Sequence, residues 1–308
     1  MRRRRPQANQ RKRRVKGSSI QQPALAAAEP AATTSICGAN RRKTSSRIDP
    51  FGIIGIFLLV GIWQLLTISV SSSLLPAPHA VARRIANDFF SAQELTYFGL
   101  PDASLLGSIL YTAENVVIAV IVGSTLGAVT GLVTARFRLA RSIVDPVVLT
   151  GGTVPILVAA PFFLIWFGVG RASAITLVLL YVAVTLYLFA QKAADNLDLI
   201  YEESARTLGA TPRRIIWDVL IPGTVPQILG GVRIALAGAW GLEAIAELLG
   251  SQYGIGKAVE LFAGATDVEG IFAALLVLGV VAVVFDAITA FCFGKIAAWS
   301  VVARPGRR

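Results

Sequence analysis

The sequence is poor in the residues on which most enzyme and metal chemistry depends. Its 308 residues include two cysteines, Cys37 and Cys292, and one histidine, His79. Two cysteines, one in a polar tail and one in an apolar run, are too few for a disulfide framework or a metal cluster. A single histidine leaves no histidine-based triad and no histidine-rich metal site. We therefore predict that the chain has no metal, no cofactor and no catalytic residue of its own.

Charge is also scarce. Charged residues make up 15% of the chain and hydrophobic residues 55%, with a mean hydropathy of +0.66. Soluble domains carry roughly 25% charged residues, so this composition indicates lipid as the solvent. The formal net charge of +11 is concentrated, because 13 of the 29 Lys and Arg residues lie in the first 50 positions. We therefore predict a membrane protein and no nucleic-acid partner.

The ends of the chain differ from its middle. Residues 1–50 hold basic clusters at Arg2–Arg5, Arg11–Lys16 and Arg41–Lys43 and too few apolar residues to bury a core. They are interpreted as a disordered basic cytoplasmic tail, with binding to anionic lipid headgroups as the alternative. Residues 51–300 are predicted to be a transmembrane domain, and residues 301–308 a basic cytoplasmic C-terminus.

The middle of the chain contains six apolar runs long enough to cross a bilayer, which takes about 20 helical residues. The predicted spans are Phe51–Val70, Leu106–Thr134, Ile143–Phe167, Ala172–Gln191, Pro222–Leu249 and Ile271–Lys295. The third contains Pro155 and Pro161, so we expect it to be kinked or partly re-entrant. The fold class is all-α and integral to the membrane. If the basic tail is internal, 24 basic residues lie inside and four outside, so both termini are predicted to be cytoplasmic.

Two local patterns add detail to these spans. Apolar residues spaced four apart within Val81–Phe89 predict a short amphipathic helix on the outer face. Gly123, Gly127 and Gly131 form two overlapping GxxxG steps, which let a neighbouring backbone approach closely.

The loop between the fourth and fifth spans, residues 192–221, has an organised sequence. Tyr201–Leu208 favours a helix, and Gly209 can supply the left-handed residue that ends it. Thr211 can then cap a second helix that begins at Pro212. The pattern predicts a rigid helix–corner–helix. A rigid segment of this kind can transmit the movement of a bound partner protein to the membrane domain.

This loop resembles the EAA motif of ATP-binding-cassette importer permeases. Glu203, Ser204 and Ala205 match the first part, Gly209 the glycine, and Val219–Pro222 the end, with Ser204, Val219 and Ile221 as departures. Over roughly residues 51–300 the chain is similar to the nitrate, sulfonate and taurine branch of these permeases, including the stretches Leu74–Pro78, Pro155–Gly170 and Gly231–Gly250.

The resemblance implies a type I importer permease with six transmembrane helices and a cytoplasmic coupling helix. Its coupling loop would be formed by Glu203, Ser204, Ala205, Arg206, Gly209, Ala210 and Pro222, with Glu203 anchoring the loop by a charge-assisted contact. The implied partners are a cytoplasmic ATPase subunit that binds the ATP, a second permease copy and an extracytoplasmic binding protein. The implied location is the bacterial inner membrane. A homodimer is expected, and a heterodimer stays open.

Ionisable residues inside the spans are functional candidates because charge is costly at membrane depth. They are Glu114, Arg233, Glu243, Glu247 and Asp286. Glu243 and Glu247 are four residues apart on one face, and we predict that they face the translocation path. By the resemblance, Glu247 occupies a position that is acidic in related permeases, which makes a structural role the alternative. Two carboxylates would disfavour an anionic solute, so the substrate stays open.

Two other classes of protein fit the sequence less well. A secondary transporter driven by an ion gradient would be expected to show an internal repeat and paired broken helices, and it would leave the coupling loop unexplained. A membrane enzyme has too few reactive residues to build from. The stretch Ser251–Ala258 lacks the first glycine and the Ser or Thr of a phosphate-binding loop, so no ATP binding is expected here.

Overall fold

The computed structural model describes residues 50–71, 74–100 and 104–298. The chain divides into two units, Met1–Asp49 and Pro50–Arg308, and the predicted basic tail and C-terminus lie outside the described residues. In chain order the described helices are α1 (Pro50–Ser69), α2 (Pro78–Asp88), α3 (Gln93–Tyr97), α4 (Leu105–Arg136), α5 (Arg138–Thr153), α6 (Ile156–Phe167), α7 (Arg171–Asp195), α8 (Leu199–Thr207), α9 (Pro212–Arg214), a π-helical segment (Ile215–Leu220), α10 (Ile221–Gly250), α11 (Ile255–Gly264) and α12 (Val268–Ile296).

Helices α4 and α7 pack closely and run in the same direction. A methyl group added to Gly123 would touch Val182, and one added to Gly131 would touch Ala190. Gly127, between these two glycines, faces Ala183 and Leu186. Residue numbers at the contact therefore rise along both helices in the same direction, which makes the helices parallel. The glycines thus bring the two backbones into direct contact, as the GxxxG spacing predicted.

This parallel packing decides how many times the chain crosses the membrane. Two neighbouring parallel spans need an odd number of crossings between them, so α5 and α6 together must return the chain to the other side. The two helices meet at a bend of 102°. Each of the five other long apolar helices is long enough to cross the membrane by itself. The described residues therefore form six crossings, and the third is a broken span, as its prolines predicted.

The fifth crossing is longer than the sequence indicated. Pro222 was expected to separate the second helix of the loop from the span, but helical structure continues without a break from Pro212 to Gly250. The π-helical segment Ile215–Leu220 joins the two parts. The backbones of α10 and α7 run antiparallel, with Gly231 against Phe189 and Gly238 against Tyr181.

The amphipathic helix predicted outside the membrane is α2, and a charged cluster fixes it to the membrane domain. Arg84 forms ion pairs with Asp88 at 2.8 Å, with Asp267 at 2.9 Å and with Glu94. Asp267 also caps α12 by accepting a hydrogen bond from the amide of Gly270 at 3.0 Å. This cluster ties α2 and α3 to the first turn of α12.

Candidate functional site

The loop between the fourth and fifth crossings folds into an elbow, which we define as residues 199–222. Its first arm, α8, is capped by Asp198, which accepts a hydrogen bond from the amide of Ile200 at 3.1 Å. The arm ends in a Schellman motif, because Ala210 N–H donates to the Ala205 carbonyl at 3.0 Å and Gly209 N–H to the Arg206 carbonyl at 2.9 Å. The corner is therefore defined by backbone hydrogen bonds.

Gly209 adopts the left-handed conformation at this corner, with φ of +81°. A side chain there would meet open space, so conformation alone favours glycine. The second arm starts at Pro212 and is capped by Thr211, whose hydroxyl accepts a hydrogen bond from the Arg214 amide at 3.5 Å. The predicted helix–corner–helix is confirmed, although α8 begins two residues earlier than Tyr201.

An ion pair anchors the elbow to the membrane domain. Glu202 pairs with Arg136 at the end of α4 at 3.0 Å, and Arg206 approaches the same carboxylate at 3.7 Å. Glu203 is exposed and makes no ion pair within the part of the chain that the structure describes. The charge-assisted contact expected of Glu203 therefore stays a prediction. The Glu202 anchor was not predicted from the sequence, although Arg136 follows an apolar run on the same predicted side.

The elbow exposes large apolar side chains where it extends from the membrane domain. Leu208 is 88% exposed at the corner, and Trp217 is 70% exposed on the second arm. Tyr201 on the first arm is also exposed. Apolar groups surrounded by polar and charged residues are typical of a protein interaction surface.

Glu243 and Glu247 lie inside the protein, between α10, α4 and α11. Neither side chain is exposed. Glu247 accepts hydrogen bonds from the Thr112 hydroxyl at 2.8 Å and from the Gly256 amide at 2.9 Å. Glu243 accepts one from the side-chain amide of Asn115 at 2.9 Å. The prediction that these carboxylates face a translocation path is not supported by this position, since no surface of the described chain presents them.

Further charged groups surround this cluster at the end of the bundle opposite the elbow. Arg171 donates a hydrogen bond to the side-chain amide oxygen (Oδ1) of Asn115 at 2.7 Å and pairs with Glu114 at 2.7 Å. The contact from Arg171 fixes which side of the Asn115 amide faces Glu243. The network links the start of α7 to α4 and α10.

The two other ionisable residues within spans pair with each other. Arg233 on α10 and Asp286 on α12 form a bidentate ion pair with distances of 2.9 and 2.6 Å. Both side chains are close to half exposed in the single chain. A charged pair at membrane depth is expected to face water or protein in preference to lipid.

A cavity of about 790 Å³ opens beside the break in the third crossing. Its wall includes Val154 and Pro155 at the break and Tyr181 and Thr185 on α7, and it is otherwise almost entirely apolar. Backbone that is not helical is tolerated at membrane depth only where protein or a water-filled cavity covers it. We therefore expect the break to lie at a surface that lipid does not cover.

Comparisons with known proteins agree with this architecture. A family described as binding-protein-dependent transport system inner membrane component matches residues 106–296. The chain is 28% identical over 236 residues to the taurine transport system permease protein TauC of Escherichia coli K12, covering 76% of this chain and 83% of that protein. It is 26% identical over 244 residues to the putative aliphatic sulfonates transport permease protein SsuC of Bacillus subtilis 168, covering 79% and 84%.

Solved structures share the fold at lower identity. The MetNI methionine ABC transporter in an inward-facing form gives a TM-score of 0.54 at 21% identity, covering 65% of this chain and 96% of that one. A bacterial alginate ABC transporter gives 0.55 at 16% identity, covering 80% and 95%.

Proposed function

Because the chain belongs to the family of binding-protein-dependent transport system inner membrane components, as the permease subunit of an ABC importer, we propose that its elbow docks onto a separate cytoplasmic ATPase subunit. The observation that carries this proposal is the construction of the elbow. Its corner is fixed by backbone hydrogen bonds, its base by the Glu202–Arg136 pair, and its tip exposes Leu208. Such a rigid elbow can transmit a push from the ATPase to α10.

The contact with the ATPase involves the residues of the motif in distinct ways. Leu208 enters an apolar groove of the partner, and Glu203 makes a charge-assisted contact at its rim. Gly209 and Ala210 hold the corner, and Arg206 supports the Glu202 carboxylate. Ser204 and Ala205 keep the first arm slim enough to enter the groove.

The assembled importer contains two further protein partners. A second copy of the permease covers the broken third crossing, and a binding protein delivers the solute to the outer face. Both termini lie in the cytoplasm of a bacterial cell, because the basic residues are concentrated on the side of the elbow.

The solute path runs past the α5–α6 break between the two permease copies. The uncovered backbone at the break and the half-exposed pair of Arg233 and Asp286 both require water or protein as their neighbour. Glu243 and Glu247 act from inside the protomer, where they hold the outer ends of α4, α10 and α11 together. The solute class is taurine or an aliphatic sulfonate, for which two of the relatives are named.

The experiment compares two glycines with the same backbone conformation on opposite sides of the membrane. Gly209 and Gly99 both have positive φ, of 81° and 83°, and at neither site would an added Cβ have a neighbour within 4 Å. A valine at either site is strained by about 1–3 kcal/mol. Tagged wild type, Gly209→Val and Gly99→Val are purified in mild detergent and probed for a copurifying ATPase.

We expect the ATPase to accompany wild type and Gly99→Val, and to be lost from Gly209→Val. Equal recovery with all three variants would refute docking at the elbow. Absence of an ATPase from all three, in detergent that preserves other membrane complexes, would refute the separate ATPase subunit and favour a transporter driven by an ion gradient.

A further inference from the structure

The second arm of the elbow joins α10 through a change of helical register. Ile215 N–H donates to the carbonyl of Thr211, four residues back, at 3.0 Å. At the other end of the segment, Ile221 N–H donates to the carbonyl of Ile216, five residues back. The segment Ile215–Leu220 is therefore π-helical and holds one residue more than an α-helix of the same length would.

Pro222 lies directly after the change of register. A proline ring inside an α-helix collides with the carbonyl four residues back, and proline offers no N–H to that carbonyl. For Pro222 that residue is Asp218, in the middle of the π-helical segment. Widening the turn moves the Asp218 carbonyl away from the ring. Pro226 lies inside the α-helical part of α10 without a change of register, so a proline does not by itself require the wider turn, and the π-helical segment is specific to the position before Pro222.

The register change sets the direction in which the elbow points. Each residue of an α-helix advances about 100° and 1.5 Å, so one extra residue rotates everything before it by that amount relative to α10. Ile215 and Leu220 are buried on the membrane domain, whereas Trp217 and Asp218 face outwards. The widened turn therefore lets α10 keep its apolar face buried while the elbow keeps its ion pair between Glu202 and Arg136.

We propose that Pro222 is a positioning residue for coupling: it holds Ile215–Leu220 in the π-helical form and so sets the rotation of the elbow relative to α10. This inference rests on the proposed function, because the rotation matters only if the elbow meets an ATPase. Without the proline, the segment returns to an α-helix, and Leu208 is presented in a different direction.

The test uses a variant and its compensating deletion. Pro222→Ala removes the collision and allows one continuous α-helix, which turns the elbow. Deletion of Asp218 in the Pro222→Ala background removes the extra residue, so a continuous α-helix again gives the original direction. Pro226→Ala is the matched control, because it removes a proline four residues further on without a register change.

Two readouts report on the elbow in a background where Cys37 and Cys292 are serine. The first is the distance between spin labels on Leu208→Cys and Leu139→Cys, both at exposed positions on the elbow side. The second, measured on chains that keep Leu208 and Leu139, is ATP hydrolysis by the importer complex purified through this chain. In Pro222→Ala the distance changes by about 5 Å and hydrolysis falls about tenfold. The compensating deletion restores both, and Pro226→Ala leaves both unchanged.

An unchanged distance in Pro222→Ala would overturn the inference, and so would a changed distance that the deletion does not restore. Normal hydrolysis with a rotated elbow would overturn its link to coupling. If no ATPase accompanies even the wild-type chain, the proposed function fails, while the spin-label distances still decide whether Pro222 sets the register.

Discussion

Glu202 is the residue that fixes the elbow to the membrane domain, although the motif is usually identified by the glutamate that follows it. Glu202 reaches back to Arg136, whereas Glu203 is exposed and available to a partner. Of two adjacent glutamates, one thus makes an internal ion pair and the other is exposed. They differ because successive residues of a helix point about 100° apart.

The Glu202–Arg136 pair gives a prediction with an internal control. Replacing Glu202 by Arg brings two cations together and loosens α8, with a loss of about 1 kcal/mol because both groups are partly exposed. We expect less ATPase to copurify with Glu202→Arg. The double variant Arg136→Glu/Glu202→Arg restores the ion pair and the recovery of ATPase. A double variant no better than the single one would exclude the pair as the anchor.

The Arg84 cluster predicts a pH-dependent stability outside the membrane. The hydrogen bond from Arg84 lowers the pKa of Glu94, and burial raises the pKa of Asp88. The third carboxylate facing Arg84 is Asp267. A lowered carboxyl pKa stabilises the fold above the unfolded pKa of about 4.3, and this contribution is lost as pH falls through the folded pKa.

Arg84→Gln leaves these three carboxylates together without their cation. We expect its thermal unfolding temperature in detergent to lie below that of wild type at about pH 7.5. The difference should shrink below about pH 4, where the carboxyl groups become protonated. A deficit of the same size at both pH values would mean that Arg84 acts by packing alone.

At the residue scale, the sequence identified which ionisable side chains lie within membrane spans. It did not predict which residues those side chains contact. Glu243 and Glu247 were recognised as costly, but their partners Thr112 and Asn115 lie more than a hundred positions away in the chain. Pairing over that separation depends on how α4 and α10 pack, which no local pattern contains. The predicted path role for the two carboxylates therefore remains a prediction without structural support.

At the scale of helices, close packing of α4 on α7 is the contact that organises the bundle. A methyl group on Gly127 would collide with the Ala183 carbonyl oxygen, whereas one on Gly241 would meet open space. The GxxxG spacing predicted a close neighbour for α4. It could not predict that the neighbour is α7, or that the two helices are parallel.

Substitution of these two glycines tests that contact. Gly127→Ala forces α4 and α7 apart and is expected to cost about 1–3 kcal/mol, seen as a lower unfolding temperature in detergent. Gly241→Ala, on the exposed side of α10, is expected to leave the temperature unchanged or raised, because alanine favours a helix. Equal losses at the two sites would argue against direct backbone contact between α4 and α7.

The elbow shows how far local rules extend at this scale. Gly209, Thr211 and Pro212 predicted both arms and the corner, because caps and left-handed turns depend on neighbouring residues. The π-helical segment was not predicted, since Pro222 was interpreted as a helix start. A proline after a capped helix is compatible with a new helix start and with a continuous helix, and no local pattern distinguishes the two.

At the scale of the whole molecule, topology follows from two independent observations. In the predicted topology the basic residues are concentrated on one side, and the parallel packing of α4 and α7 requires the broken third span to cross. Composition and span length were enough to predict the six crossings. The side of the elbow is a prediction that the charge distribution supports.

The orientation can be measured with two nearly equally exposed positions. Tyr97, 87% exposed in the α3 turn, and Leu208 lie on opposite sides of the membrane domain. With Cys37 and Cys292 replaced by serine, a membrane-impermeant maleimide should label Tyr97→Cys in intact spheroplasts. It should label Leu208→Cys only after permeabilisation. The reverse pattern would invert the proposed topology.

The central claim is that the elbow contacts an ATPase, and a photo-cross-linker at Leu208 tests it most directly. Val283 on α12 provides the control, since it is also strongly exposed but lies within a membrane span. We expect irradiation of membranes to join position 208, and not position 283, to the ATP-binding-cassette subunit. If the importer complex is intact and position 208 forms no adduct with that subunit, coupling through this elbow is contradicted.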